Sequence, residues 1–529
     1  MATQAAGRNS LSLRTANSSA RSAAEGREKT PGRGLALLLG SAGAVASAGL
    51  VSGAPRPISI VGVVALAGAI LLFPAIGTII FFALAWANAP VVLTRETGNA
   101  LFFGAASAAL LCVPAFIQIF VLKRGLLLDR TFGLMMLFLT SLFVSLFVAY
   151  DSQLALAWIG TYVSEGILLY LLVVNAVRDE NVLRWVFWTL VGVAALLCIF
   201  SIYQEVTRDY EHTFGGFAGR KLEVELQQET YESGGLVRTR ESVRPEDRAC
   251  GPVNDANYFA QILLVVLPMA IVLIKISKSK AAKITALALA LLVLSGILLT
   301  YSRGGFLILL VLAILMIRFG YFRLRHVFLG AIPVLAIIFA VAPGYFTRMD
   351  SLRGVSDMES VNDAALRGRL TEMLAAWNVF LDHPFVGVGP GQYEPYYSLE
   401  YMDDPGVAFR QIDKERPAHI LYFELAAETG ILGLLIFAAI TFTVLGKIRR
   451  VRRDCNHRPD IVHLANGIEL GILTYLGTGI FLSFAFMRYW WLLLAMAGAL
   501  VTVAELCARD PKEVEEEALE EGQLREAVT

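Results

Sequence analysis

The sequence predicts an all-α fold, a polytopic membrane bundle of about 12–14 transmembrane helices with two long outer loops, and three observations predict it. First, 56% of the 529 residues are hydrophobic and 17% charged, with a mean hydropathy of +0.61, whereas a soluble domain is about 45–50% apolar and about 25% charged. Second, apolar stretches near the length needed to cross the hydrocarbon core recur along the chain. Third, the short loops between them are strongly basic at alternating positions, which is how cytoplasmic loops differ from outer ones. Lys plus Arg and Asp plus Glu balance at 45 each, so net charge names no partner and nucleic acid is not expected.

In chain order, residues 1–33 hold Arg8, Arg14, Arg21, Arg27, Lys29 and Arg33 among Ser, Ala and Gly and read as a disordered, basic cytoplasmic tail. The transmembrane domain occupies 34–508, with expected spans at 34–54, 58–73, 74–89, 98–122, 131–150, 154–177, 182–206, 256–275, 282–301, 304–319, 326–343, 417–446, 463–485 and 488–508. The stretch Ile58–Asn88 reads as two short helices broken near Pro74. The loops "GKIRRVRRDCNHR", "KISKSKAAK", "RFGYFRLRH" and "KRGLLLDR" all fall inside in one register, which leaves 207–255 and 344–416 as the long outer loops. Both termini are then cytoplasmic, and 509–529 forms an acidic cytoplasmic tail. The five cysteines have no metal-like or paired spacing, so no disulfide framework, metal or cofactor is expected.

In "LLTYSRGGFLILL", Arg303 falls on the outer face, against the positive-inside bias. An interfacial arginine often only snorkels to headgroups. Here Gly304 and Gly305 open a helix whose first N–H groups and positive dipole end face the same place, a combination suited to phosphate. The first outer loop ends "RACGPVNDANYFAQ", crowding Arg248, Asn254, Asp255 and Asn257 against a helix start, with Asn254 or Asp255 as N-cap. Cys250 beside them reads as a free thiol.

The second loop carries "RGRLTEMLAAWNVFLDHPFVGVGPGQYEPYY". Leu370, Met373, Leu374, Trp377, Phe380 and Leu381 recur at helical spacing and predict an amphipathic helix that lies on the membrane or caps the bundle. "GVGPGQ" mimics a nucleotide-binding glycine loop, but the preceding strand is missing and Pro390 interrupts it, so it reads as a turn cluster. In "ERPAHILYFELAAETGILG", Pro417 suits a first helical turn and places His419 just inside it, where the dipole disfavours imidazolium and leaves a base. Glu424 and Glu428, one turn apart, are candidates to orient His419 or to neutralise an arginine.

These segments, in this order between these hydrophobic stretches, resemble the O-antigen ligase and O-antigen polymerase superfamily of bacterial membrane glycosyltransferases over roughly residues 180–485. The resemblance implies a glycan held on undecaprenyl pyrophosphate at the outer leaflet, transferred with inversion and without metal to an acceptor hydroxyl. Arg248 and Arg303 would engage the pyrophosphate and His419 would be the base. Gly304, Gly305, Asn254, Asn257, Arg369 and Glu424 complete the expected substrate-binding set. The acceptor would be a glycan, a lipid A core or a protein, and membrane lipids are further partners. Ile420 stands where the family's ligases often carry Asn, Ser or Gln, which leaves polymerase open beside ligase. The implied location is the bacterial inner membrane, multi-pass, with a periplasmic active face. Two other classes compete: a transporter, for which Glu165 within an apolar segment is the pointer, and a non-enzymatic scaffold of an envelope-assembly complex.

Overall fold

The computed structural model describes residues 68–229, 238–246, 248–323, 325, 364–401, 416–484 and 487–508. The two tails, the expected spans 34–54 and 326–343, most of 58–73, and parts of both long loops lie outside the described residues. The chain divides into residues Met1–Gly77 and Thr78–Thr529, and the account below concerns the second unit.

The helices follow the expected spans closely. They are α1 Pro74–Trp86, α2 Ala89–Thr97, α3 Ala100–Phe116, α4 Arg130–Leu146, α5 Ser152–Tyr162, α6 Leu169–Ala176, α7 Glu180–Thr207, α8 Ala256–Ile276, α9 Lys280–Leu299 and α10 Arg303–Arg318. The second outer loop contributes α11 Ala364–Asp382 and α12 Tyr393–Glu400, and the chain returns through α13 Leu421–Asp454, α14 Pro459–Thr478 and α15 Met487–Ala508. Among the described residues seven helical spans are long and apolar enough to cross a membrane, and the pair α1 and α2, bent by 66°, would make an eighth. The first outer loop adds one antiparallel hairpin, β1 Lys221–Glu229 with β2 Arg238–Glu246.

α8 and α15 are apolar on every side and lie at the centre, buried over nearly their whole length, as a helix without a polar face must. Polar residues inside the bundle are paired. Between α5 and α6 a π-helical turn, Val163–Leu168, presents Glu165 to Arg488, whose Nη2 lies 2.5 Å from Oε1 and whose Nη1 donates to Asn88 at 2.9 Å. Glu165 is thus an ion-pair partner. Asp129 caps α4 and meets both Tyr170 and Lys447. Arg178 donates to the carbonyls of Arg124 and Gly125, pinning that short loop.

α11 caps the bundle, but with the opposite face from the one the apolar spacing selects. Thr371, Glu372, Ala375, Ala376 and Val379 are the buried residues, while Trp377 is 40% and Leu381 55% exposed. Small side chains let α11 approach α13 closely, while Trp377 and Leu381 are left outward and Leu370, Met373, Leu374 and Phe380 are half-buried. The cap has its own core of Ala375, Val379, Val388, Tyr393, Tyr397, Ala418 and Ile420.

The glycine-rich turn cluster fastens this cap. α13 breaks at Gly430 (φ 63°, ψ −167°), and the extended loop before α12 lies along the break. Val388 N–H donates to the Ala427 carbonyl (2.9 Å), Gly389 to Glu428 (3.0 Å), and Ile431 returns a bond to Pro384 (2.8 Å). Backbone meets backbone so closely that a Cβ on Gly430 would fall 2.3 Å from the Phe385 carbonyl carbon, and one on Gly387 2.3 Å from that of Glu428. Gln392 adds a two-sided contact to the Asp151 main chain, accepting from its N–H at 2.8 Å and donating to its carbonyl at 3.1 Å.

Gly430→Ala is therefore expected to destabilise the purified protein by more than about 3 kcal/mol, since the glycine-only backbone region and the forced backbone shift both add cost. Gly446→Ala, in ordinary helix with open space around it, is the control and should be neutral or slightly stabilising. Thermal unfolding in detergent measures both.

Candidate active site

Segments distant in sequence meet where α8, α10 and α13 begin and α14 ends. α8 is capped by Asp255, whose carboxylate accepts from Asn257 and Tyr258 N–H at 2.8 and 3.2 Å. Asn254, the alternative cap, instead takes a left-handed conformation (φ 55°) in the turn before it. The cap turns Asn257 toward Arg248, whose Nε donates to the Thr300 carbonyl at 2.8 Å and whose Nη2 lies 3.5 Å from Asn257 Oδ1. The same Oδ1 accepts from Ser302 Oγ at 2.8 Å.

Ser302 links this group to Arg303. It is the N-cap of α10 and accepts from Gly305 N–H at 3.1 Å, so that donor is already used and does not point bare into the site. Both glycines also serve packing: a Cβ on Gly305 would stand 3.0 Å from Ala260, and one on Gly304 3.2 Å from the Phe481 ring. The preceding turn is set by Tyr301 (φ 50°), whose hydroxyl donates to buried Glu205 at 3.2 Å.

A small cavity opens here, lined by Asn257, Ser302, Gly304, Gly305 and Arg369, with Thr478 and Phe481 behind them. Arg369 reaches it from α11. Burial, and after it the guanidinium of Arg303, push the Arg369 pKa below its ordinary value; Asp255 and Glu372 act the other way, and Arg248 adds to the depression. Arginine titrates so high that the group stays charged all the same. Arg248, Arg303 and Arg369 therefore form one concentration of positive charge.

Glu372 follows Arg369 by three residues on α11 and is almost fully buried, at 1% exposure. Its Oε2 lies 3.5 Å from His419 Nε2 and its Oε1 3.8 Å from Arg416 Nη1, while its main-chain carbonyl accepts from Tyr393 Oη at 2.6 Å. His419 is not inside the first turn of α13, as the placement of Pro417 suggests. The Leu421 N–H is engaged by the Gly479 carbonyl at 2.9 Å and the helix starts there. His419 sits just before it in a left-handed conformation (φ 52°), one that His adopts more readily than most residues.

Two expectations are corrected by these contacts. Glu424, expected to bind substrate, accepts the Phe484 N–H at 3.0 Å, and Glu428 accepts that of Tyr393 at 3.4 Å. Both line a different cavity with Trp158 and Tyr162, and the carboxylate beside His419 is Glu372. Glu372 and Ser302 are the site residues that spacing alone does not select. The signal for Glu372 is present in "RGRLTEM" as a carboxylate one turn after an arginine on a helix, and for Ser302 as a small hydroxyl before Arg-Gly-Gly.

The arrangement offers three guanidiniums and a helix start to an anion, and beside them a histidine in contact with a buried carboxylate. Ser302→Ala removes the cap of α10 and the bond to Asn257 and is expected to cost about 1–2 kcal/mol of stability, read by thermal unfolding.

Residues 262–438 match a protein-family model described as O-Antigen ligase. The match runs from within α8 through Arg303, Arg369, Glu372 and His419 to within α13, while Arg248 and Asn257 lie just upstream. No curated protein matches the chain. Over residues 262–438, which hold most of the site, the chain is similar to the O-antigen ligase family.

Proposed function

We propose that this membrane enzyme of the O-antigen ligase type transfers a saccharide from an undecaprenyl-pyrophosphate carrier to an acceptor hydroxyl at the outer face of the bacterial inner membrane. The observation that carries this reading is α11. It bears Arg369, near Arg303 and Arg248, and three residues on Glu372, which contacts His419, and this supports reading the arginines as an anion site and the histidine as a base.

In the proposed reaction the acceptor oxygen attacks the anomeric carbon from the face opposite the pyrophosphate, and the configuration inverts. The new C–O bond forms as the bond to pyrophosphate breaks, and the acceptor proton passes to His419. Arg248, Arg303 and Arg369 stabilise the charge that grows on the leaving pyrophosphate, which needs little help from an acid. Glu372 holds the imidazole in place. Asn257 and Ser302 act through the arginines by fixing their geometry. Pairing of Glu165 with Arg488 supports a structural role for that carboxylate and removes the main pointer to a transporter.

Cells lacking the protein, complemented with wild type or His419→Ala, separate the acceptors by mass analysis of surface glycans and glycan-bearing lipids. Single repeat units on the acceptor indicate a polymerase, and full-length chains stranded on the carrier indicate a ligase. His419→Ala is expected to be folded, membrane-inserted and at least about 100-fold slower, the usual contribution of a positioned base; wild-type glycans from this variant would overturn the assignment. Arg303→Ala is expected to weaken donor engagement, read as a rise in KM for the lipid-linked donor or loss of turnover. Glu372→Gln should keep measurable transfer and lose less than His419→Ala does, because the amide can still hold the imidazole by a hydrogen bond.

A further inference from the structure

A second polar cavity, of about 410 Å³, lies between the last turn of α10, the last turns of α13 and the middle of α14. It belongs to the end of the bundle away from His419, because α13 starts beside His419 and, past its break at Gly430, continues about 28 Å of helix to Arg449. Arg318, Arg449 and Arg452 line it together with Phe319, Asn466 and Glu469. Three guanidiniums thus face one carboxylate. Glu469 is 2% exposed and is engaged by Arg452 at 2.8 Å, with Arg449 at 3.5 Å. Arg452 is held further by Asn466 Oδ1 at 3.1 Å and by the face of Phe319, 5.2 Å from its guanidinium carbon. Arg452 is committed to the wall, whereas Arg318 is exposed and Arg449 is 65% exposed.

Basic residues at this end are expected from the positive-inside bias alone. That bias does not require a cavity, a buried carboxylate fixing one arginine, or an aromatic shelf beneath it. Nor does it account for what lies below. On α10, Ile314, Val311 and Leu310 precede Arg318 by one and two helical turns and are 64%, 47% and 48% exposed; on α13, Phe442 and Leu435 precede Arg449 by two and four turns and are 71% and 60% exposed. Arg318 and Arg449 therefore each stand at the polar end of an apolar stripe on their own helix. The volume far exceeds that of a bare ion, water's own share being about 30 Å³.

We propose that this cavity binds the phosphate-bearing headgroup of an anionic membrane phospholipid, with the acyl chains along the exposed stripes of α10 and α13. Arg318 and Arg449 contact the phosphate, and Arg452, Glu469 and Asn466 form the fixed wall. Basic pockets between membrane helices suit such headgroups. The site is separate from the catalytic reading above and stands without it.

The test uses the full chain purified in detergent, with phosphatidylglycerol, phosphatidylcholine or inorganic phosphate as probes, reading bound lipid by native mass spectrometry and the unfolding midpoint. Phosphatidylglycerol is expected to remain bound and raise the midpoint, with phosphatidylcholine doing neither. The double variant Arg318→Gln/Arg449→Gln should weaken phosphatidylglycerol binding by at least about tenfold, with the lipid-free midpoint unchanged; Arg318→Gln alone carries the same test should the double variant be unstable. Arg453→Gln, 77% exposed and outside the cavity, should have no effect. Equal retention of phosphatidylcholine, an equal effect of Arg453→Gln, or equal protection by inorganic phosphate at the lipid's concentration would overturn the proposal, the last in favour of a soluble anion.

Discussion

The structure depends on the main-chain pairing between the broken helix at Gly430 and the loop that lies along it. A helix that breaks inside an apolar bundle frees N–H and carbonyl groups which lipid cannot satisfy. Here the loop from Pro384 to Gly389 satisfies them, with bonds of 2.8–3.0 Å running in both directions. The loop in turn carries α11 before it and α12 after it, and the first segment of α13, which starts at Leu421 against Gly479, runs into the same junction. The positions of Arg369, Glu372 and His419 thus all trace back to one contact between two backbones.

How much was legible in the sequence follows from the range of the interactions involved. Membrane helices are local objects, and apolar length with basic loops locates α3 to α10 and α13 to α15 to within a few residues; α13 runs beyond its expected end at 446 to Asp454 because nothing in "GKIRRVRRD" stops a helix. Arg248, Arg303 and His419 are singled out as candidates by a resemblance in motif order, and the glycine cluster reads as turns through its lack of a nucleotide-binding context. The face of α11 was not, because periodicity ranks residues by hydrophobicity while the fit against α13 selected small ones. Glu372 was passed over for the same reason: a single carboxylate on an exposed-looking helix acquires meaning only from a histidine some fifty residues away in sequence.

The site concentrates like charge. Arg303 and Arg248 both oppose the charged state of Arg369, and the carboxylates that offset them, Asp255 and Glu372, each have another duty, one as the cap of α8 and the other beside His419. Such repulsion is tolerable because the rest of the bundle supplies the stability, and any bound anion would relieve it. Preorganised charge of this kind acts without reorganisation when negative charge develops.

Peptide groups neither titrate nor attract counter-ions in the accessible pH range. The bonds that close the break at Gly430 run between peptide groups, so those bonds are insulated from salt and acidity in a way that ion pairs would not be. Changes in medium therefore act on this region through its carboxylates, Glu428 against the Tyr393 N–H and Glu372 between Arg416 and His419, and not through the peptide bonds that close the break.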